Sequence, residues 1–302
     1  MDLKSKIILI YGPTASGKSE FAVKLAKKIK GEIINADSMQ IYKELKILTA
    51  RPSKKKYKKI KHHLYGFQSV KKNYSSGEWL KAAKKKISDI KKRKNVPIIV
   101  GGTGLYFKML TDGIVNIPRI PIQIREKVRK LNSSMGNKIF LKKLKKLDPK
   151  IQDYINPSDT QRLIRAYEVK LFTKKTLLEW FKATKSIFED KDFYKIYIDY
   201  PRDILINKIH NRTKDMINKG AILETKKFLK MKVSKKRTAT KAIGLIEIKD
   251  FIDKKIEINE VIERISIKTR QYAKRQVTWG RGNMMDWNKI RHNRLNNFLK
   301  NI

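Results

Sequence analysis

Gly12-Pro13-Thr14-Ala15-Ser16-Gly17-Lys18-Ser19 satisfies the pattern G-x-x-x-x-G-K-[ST] in full. The run before it, Ile7-Ile8-Leu9-Ile10-Tyr11, is short and apolar and reads as a buried parallel strand. After it, Phe21, Leu25 and Ile29 recur at helical spacing. A strand entering such a loop and a helix leaving it is the context the pattern needs. The glycines let backbone N–H groups turn inward around an anion, and the helix start adds the positive end of its dipole. Lys18 supplies a point charge, and the Ser19 hydroxyl is suited to ligating Mg²⁺. By itself the loop says only that phosphates bind.

Outward from the loop, strand and helix alternate. Glu32 to Asp37 and Val96 to Val100 read as strands, the second running into Gly101-Gly102, and Trp79, Ala83, Ile87 and Ile90 mark a helix between them. This alternation predicts a parallel sheet of the α/β class. From about Asn116 to Asp190 only helical periodicity is found. Ile124, Val128 and Leu131 form one stripe, Phe140, Leu144 and Leu147 a second, and Leu163, Tyr167 and Leu171 a third, with Pro118 and Pro121 at the entry. A strand returns at Ile196-Tyr197-Ile198, followed by Asp199-Tyr200-Pro201 and further helices. The expected architecture is a P-loop NTPase-like parallel sheet core, residues 1–115 and 191–302 with C-terminal helices, interrupted by an all-helical insertion over 116–190. No internal repeat is found. The charge run from Lys54 to Lys61 reads as a solvated loop.

The 302 residues are 40% hydrophobic, enough for a core and against wholesale disorder. With no Cys and 4 His, thiolate metal sites, iron–sulfur clusters, disulfides and a Cys nucleophile are excluded. No apolar run approaches the ~20 residues of a membrane span, and no signal-peptide pattern is found, so a cytoplasmic protein without a membrane partner is expected. The net charge of +45 draws the chain to polyanions. Much of that charge is Lys in an Ile- and Asn-rich sequence, which AT-rich coding also produces. The charge is consistent with a nucleic-acid partner without establishing one.

Several further segments, taken in order, narrow the reading. They are Asp37-Ser38-Met39-Gln40-Ile41-Tyr42, Thr49-Ala50-Arg51-Pro52, His62-His63-Leu64, Gly101-Gly102-Thr103-Gly104-Leu105-Tyr106, Asp159 to Arg165, Lys241-Ala242-Ile243-Gly244, and Thr269 to Trp279. With the phosphate loop's own spelling they span essentially the whole chain, and the ordered set resembles the tRNA dimethylallyltransferase family. That resemblance implies transfer of a dimethylallyl group from its diphosphate to N6 of the adenine just 3′ of the anticodon. It implies dimethylallyl diphosphate and the anticodon stem-loop of tRNA as partners, Mg²⁺ as cofactor and a monomer. The sequence departs from the family at Leu245, where Tyr is common, at Lys208, where many members carry Arg, and at Arg51, where Lys is usual. The zinc-finger extension of some eukaryotic members is absent.

Three demands define the chemistry: a stabilised diphosphate leaving group, a base for the amine proton, and exclusion of water. Gly12 to Ser19 meet the first with Mg²⁺. The resemblance adds Arg212, whose planar guanidinium suits a diphosphate; the plain alternative is a surface helix Arg. Asp37, at the end of a strand, is the general-base candidate, with a Mg²⁺ ligand and a capping Asp as alternatives. Thr103 stands at a second strand-to-loop corner; the resemblance implies a contact to adenine or diphosphate, and the plain alternative is a turn residue that caps the next helix.

The adenine must leave its stack to react. Asp37, Ser38, Met39, Gln40 and Thr103 are the candidates to receive it. Gln161, Arg162 and Arg165 fall opposite Leu163 and Tyr167 on a helix, as RNA contacts or as a solvated face. The resemblance extends the tRNA-contact set to Arg125, Leu163, Ile164, Lys241, Arg270, Lys274 and Arg275. Arg264, Lys268, Tyr272, Arg275 and Trp279 share one helical face of cations and aromatics, as single-stranded RNA binding favours, or as a helix whose aromatics enter the core. His62 and His63 read as structural. Rivals are a prenyltransferase for free adenine nucleotides, a kinase, for which no arginine-bearing lid is found, and a non-catalytic basic RNA-binding protein, which the intact loop and Asp37 disfavour.

Overall fold

The structure is a computed structural model and describes residues 3–57, 59–115, 117–182, 184 and 186–302. Elements follow in the order β1 (Ile7–Tyr11), α1 (Lys18–Ile29), β2 (Gly31–Ala36), β3 (His62–His63), α2 (Ser76–Lys92), β4 (Val96–Gly101) and α3 (Gly104–Thr111). Then come α4 (Ile122–Leu147), α5 (Ile151–Tyr154), α6 (Thr160–Thr173) and α7 (Leu177–Lys182). The chain ends with β5 (Phe193–Asp199), α8 (Arg202–Asn218), α9 (Ala221–Lys230), α10 (Leu245–Ile252), α11 (Ile258–Asn283), β6 (Asn288–Arg291) and α12 (Leu295–Lys300). Two compact units result, one of residues up to Thr111 with Phe188–Ile302, the other Asp112–Ile187. Among the described residues no helix is long and apolar enough to cross a membrane.

The first unit is built on one parallel sheet of order β3-β2-β4-β1-β5-β6. Its inner strands are apolar at successive positions because helices cover both faces. Ile8, Ile10, Ile33, Ile98, Val100, Ile196 and Ile198 pack with α1 and α8. Ile7, Leu9, Tyr11, Ile34, Ile99 and Tyr197 face the other way, toward Trp79, Ile87 and Phe107 of α2 and α3. Ser75 and Glu78 form a capping box that starts α2. The edge strands β3 and β6 were not expected from the sequence. His62-His63 is too short, and Asn288-Lys289-Ile290-Arg291 has one buried residue among four. A third cluster, including Ile41, Tyr42, Leu45, Leu245, Ile248 and Ile265, fixes the segment after β2 against α10 and α11. Leu245 is buried there as packing.

The second unit is all helical. Val128, Phe140, Leu144, Leu163, Tyr167 and Val169 fill its core. α4 breaks at Gly136, where φ is 70° and ψ 165°, which explains why its two stripes do not share one face. Leu147 departs from the expected stripe and is 37% exposed. Phe188 meets Phe193 edge-on at 5.6 Å between ring centroids, so the chain has rejoined the first unit by that point. Of the charge run, Lys58 and the side chains of Lys54 and Lys56 lie outside the described residues, while Lys55, Lys59 and Lys61 are exposed.

Candidate active site

Sheet register gathers the site. Tyr11 pairs with Gly101, and Gly101 with Ala36, so β1, β4 and β2 end side by side. The loops that follow therefore leave one rim, the carboxyl ends of parallel strands where ligands bind in such folds. Gly17 takes φ +80°, a left-handed conformation that a side chain would strain, and Ala15 is left-handed as well. Lys18 Nζ donates to the Pro13 carbonyl at 3.0 Å. Burial lowers its pKa to about 8; the Asp37 carboxylate opposes the drop and the Arg212 guanidinium adds to it. Ser16 Oγ is buried with no hydrogen-bond partner among the described residues. A loop with an unused buried hydroxyl, a left-handed glycine and a destabilised ammonium suits an anion.

Asp37 is half-buried at the end of β2. Its Oδ1 accepts from the N–H groups of Met39 at 2.9 Å and Gln40 at 3.2 Å. This is the capping role weighed from sequence, and it occupies one oxygen only. No hydrogen bond to Oδ2 is found among the described residues. Thr103 faces Ser38: its Oγ1 accepts from the Ser38 N–H at 3.0 Å. Tyr272, whose hydroxyl has Thr103 and Gln276 as hydrogen-bonding neighbours, is pushed well above the ordinary tyrosine range, chiefly by burial and also by Asp37. Gln40 Nε2 donates to the Thr49 carbonyl at 3.0 Å, so one amide N–H is already engaged. That carbonyl lies just after a turn held by Glu224, which accepts from the N–H groups of Lys46, Ile47 and Leu48.

Arg212, half-buried on α8, completes the cluster. Burial lowers its pKa, against the field of Asp37. Lys18, Asp37 and Arg212 therefore act on one another. The departures from the family lie outside this cluster. Lys208 sits 4.9 Å over the ring of Tyr200, and Arg51 donates to the carbonyls of Tyr42 and Lys43. His63 Nε2 lies 2.7 Å from Glu32 and His62 stacks on Tyr57 at 3.8 Å, giving both histidines structural partners. Among the described residues no three His, Asp or Glu side chains form a metal-holding group.

One residue of the site was missed from sequence. Gln276, 4% exposed, accepts from the Thr14 N–H at 2.8 Å and donates from Nε2 to the Gly102 carbonyl at 2.9 Å. Its own carbonyl accepts from the Tyr11 hydroxyl at 2.7 Å. It ties the phosphate loop to the corner that carries Thr103. A Cβ at Gly102 would stand 2.0 Å from Gln276 Nε2, so glycine there permits the bridge. The available signal was a polar residue in the buried stripe Ile265, Thr269, Ala273, Gln276, Gly280 of α11.

The cation–aromatic face expected along α11 divides. Arg264 pairs with Glu260 at 2.6 Å, and Lys268 with the buried Glu247. Trp279 packs beside Tyr11 at 5.9 Å and fills the space a Cβ on Gly104 would need. Trp279 thus takes the core role weighed for this face, while Arg264 and Lys268 keep nearly half of each side chain exposed beside their acidic partners. Arg275 remains exposed, 5.9 Å from the Tyr272 ring. Arg270 and Lys274 line a cavity of about 910 Å³ with Arg202, Arg281 and Arg291. Lys241 is exposed as the last residue of a short 3₁₀ turn.

In the helical unit, Gln161 and Arg162 are exposed on α6, whose N-terminus Asp159 caps by accepting from the Arg162 N–H at 3.1 Å. Arg162 also pairs with Asp159 at 3.3 Å. Leu163 is fully buried, which removes its side chain from the expected RNA contacts; Ile164, 9% exposed, keeps only a sliver of surface. Arg125 and Arg165 border a groove of about 370 Å³.

The IPP transferase family model matches residues 40–283. The tRNA dimethylallyltransferase of Pelagibacter ubique strain HTCC1062 is 55% identical over 302 residues, covering 100% of this chain and 96% of that protein. That of Agrobacterium fabrum strain C58 is 40% identical over 292 residues, covering 96% and 98%. The solved tRNA isopentenylpyrophosphate transferase of Bacillus halodurans superposes with a TM-score of 0.70 at 30% identity, covering 98% and 95%. A eukaryotic dimethylallyltransferase solved acting on tRNA gives 0.83 at 29% identity, covering 95% of this chain and 74% of that one.

Proposed function

This chain belongs to the IPP transferase family, and from that premise we propose that it is a tRNA dimethylallyltransferase, transferring a dimethylallyl group from dimethylallyl diphosphate to N6 of the adenine 3′-adjacent to the anticodon. The observation that carries this reading is the grouping of Lys18, Asp37 and Arg212 at one rim of the sheet, each within the others' field. In the reaction the bond between the allylic carbon and the diphosphate oxygen breaks, and the diphosphate departs with the electron pair. A bond forms between that carbon and N6, and the amine proton passes to Asp37.

Gly12 to Ser19 hold the diphosphate through backbone N–H groups and the free Ser16 hydroxyl, with Lys18 and Arg212 stabilising its charge. Asp37 takes the proton at Oδ2 while Oδ1 keeps the Met39–Gln40 turn in shape. Thr103 and Ser38 border the adenine. Mg²⁺ binds through few protein ligands plus phosphate oxygens and water, a demand that the Ser19 hydroxyl meets without an acidic cluster. When bound, it supplies further charge to the leaving group. Gln161, Arg162 and Arg165, with Arg125, Lys241, Arg270, Lys274 and Arg275, are read as contacts to the anticodon stem-loop. With tRNA as acceptor the reaction belongs in the cytoplasm, and a monomer, as the family resemblance implies, is read as its working unit.

The test is incubation of the protein with dimethylallyl diphosphate and an anticodon stem-loop bearing the adenine, followed by mass analysis of the nucleosides. Prenylated adenosine is expected, with none when guanine replaces the adenine. Comparable rates on AMP and on the stem-loop would overturn the choice of acceptor.

A further inference from the structure

Glu168, on α6, is buried inside the helical unit among three arginines. Its side chain is 3% exposed, and its oxygens lie 3.6 Å from Arg165 Nη1, 3.8 Å from Arg129 Nε and 3.9 Å from Arg125 Nε. These are ion-pair distances, longer than hydrogen bonds. Neither Glu168 Oε1 nor Arg125 Nε has a hydrogen-bond partner among the described residues. The three guanidinium side chains are 42%, 50% and 43% exposed and line the groove of about 370 Å³ together with Arg119 and Gln161.

Neutralising one buried carboxylate requires one guanidinium. Three leave a net positive rim, and each guanidinium has five N–H donors of which few are engaged. Without a carboxylate beneath them, three like charges so close together would swing apart into solvent. The arrangement is that of an anion clamp with an internal counter-charge setting its spread.

We propose that Arg125, Arg129 and Arg165 clamp one phosphodiester of the RNA backbone, and that Glu168 is the positioning residue that fixes their geometry. The proposal rests on the reading of tRNA as acceptor and adds to it Arg129 and Glu168, which sequence reasoning did not select. An open groove with half-exposed cations suits a polymer passing over it, whereas the free diphosphate already has the enclosed loop at Gly12 to Ser19.

The experiment measures binding of the anticodon stem-loop to the full chain at several salt concentrations, for the wild type and for Arg129→Ala, Glu168→Gln, Glu168→Asp and Lys143→Ala, an exposed lysine of α4 as control. Arg129→Ala should lower affinity and reduce the slope of log affinity against log salt, by less than the roughly 0.7–0.9 of a whole phosphate contact because Arg125 and Arg165 still hold that phosphate. Glu168→Gln is the sharper case. It makes the protein more positive, so a generic basic surface would bind RNA more tightly, whereas the clamp predicts weaker binding, partly restored by Glu168→Asp. Turnover at saturating stem-loop should persist, placing the loss in KM for RNA. Should Glu168→Gln lose its helical circular dichroism, Arg129→Ala decides alone. Tighter binding by Glu168→Gln, or equal effects of Arg129→Ala and Lys143→Ala, would overturn the clamp. A wild-type protein that bound no stem-loop would instead overturn the acceptor reading beneath it.

Discussion

Gln276 accepts a hydrogen bond from the backbone N–H of Thr14 across 262 positions of sequence, so α11, late in the chain, holds the phosphate loop near its N-terminus. The same amide donates to Gly102, so donor loop and acceptor corner share one brace. Gln276→Ala leaves a buried N–H and a buried carbonyl unpaired, each costing about 1–3 kcal/mol. We expect kcat/KM for dimethylallyl diphosphate to fall by about tenfold or more, measured by steady-state kinetics. An unchanged value would show that the loop keeps its shape without the brace.

Asp37→Asn separates proton transfer from architecture. Asparagine keeps an acceptor for the Met39 and Gln40 N–H groups, so the turn should survive. Turnover should drop by roughly 10²–10⁴, the usual contribution of a positioned base, while stem-loop affinity holds. A loss below tenfold would take the base role away from Asp37.

Lys18 should make donor binding depend on pH. Burial lowers its pKa to about 8, so the ammonium is present below that value and lost above it. The diphosphate prefers the charged form. Its affinity should therefore fall as pH rises through about 8, and binding between pH 8 and 9 should take up a proton. Calorimetry in buffers of different ionisation enthalpy reads that uptake, and Lys18→Met should abolish it.

Glu32 predicts the acid limb of stability. Burial alone would raise its pKa, but hydrogen bonds from Arg93, Asn95 and His63 outweigh that and bring it from 4.5 to about 2. A carboxylate depressed on folding stabilises above its unfolded pKa, and that contribution disappears as pH drops from about 4.5 toward 2. Glu32→Gln should lower the urea midpoint at pH 7 and converge with wild type near pH 2. A constant gap between the two across that range would show that the ionised carboxylate is not what stabilises.

What the sequence disclosed follows from how local the information was. The phosphate loop, four of the six strands and the helical insertion announce themselves through contiguous patterns, and Asp37 and Thr103 through their place after apolar runs. β6 stayed hidden because an edge strand needs little apolar residue, and only Ile290 of its four is buried. Gln276 stayed hidden because a brace is defined by what it reaches, not by its neighbours in sequence. On α11, spacing alone could not say that Trp279 turns toward Tyr11 and Gly104 while Arg275 stays at the surface.

The position of Gln276 also sets an order of maturation during synthesis. The ribosome delivers β1, the phosphate loop and α1 first, yet the amide that braces Thr14 emerges only near the end of translation. A nascent chain thus carries the loop for most of its time on the ribosome in an unbraced form. An incomplete polypeptide released before α11 would hold every phosphate-loop residue and still lack the amide that braces the loop at Thr14.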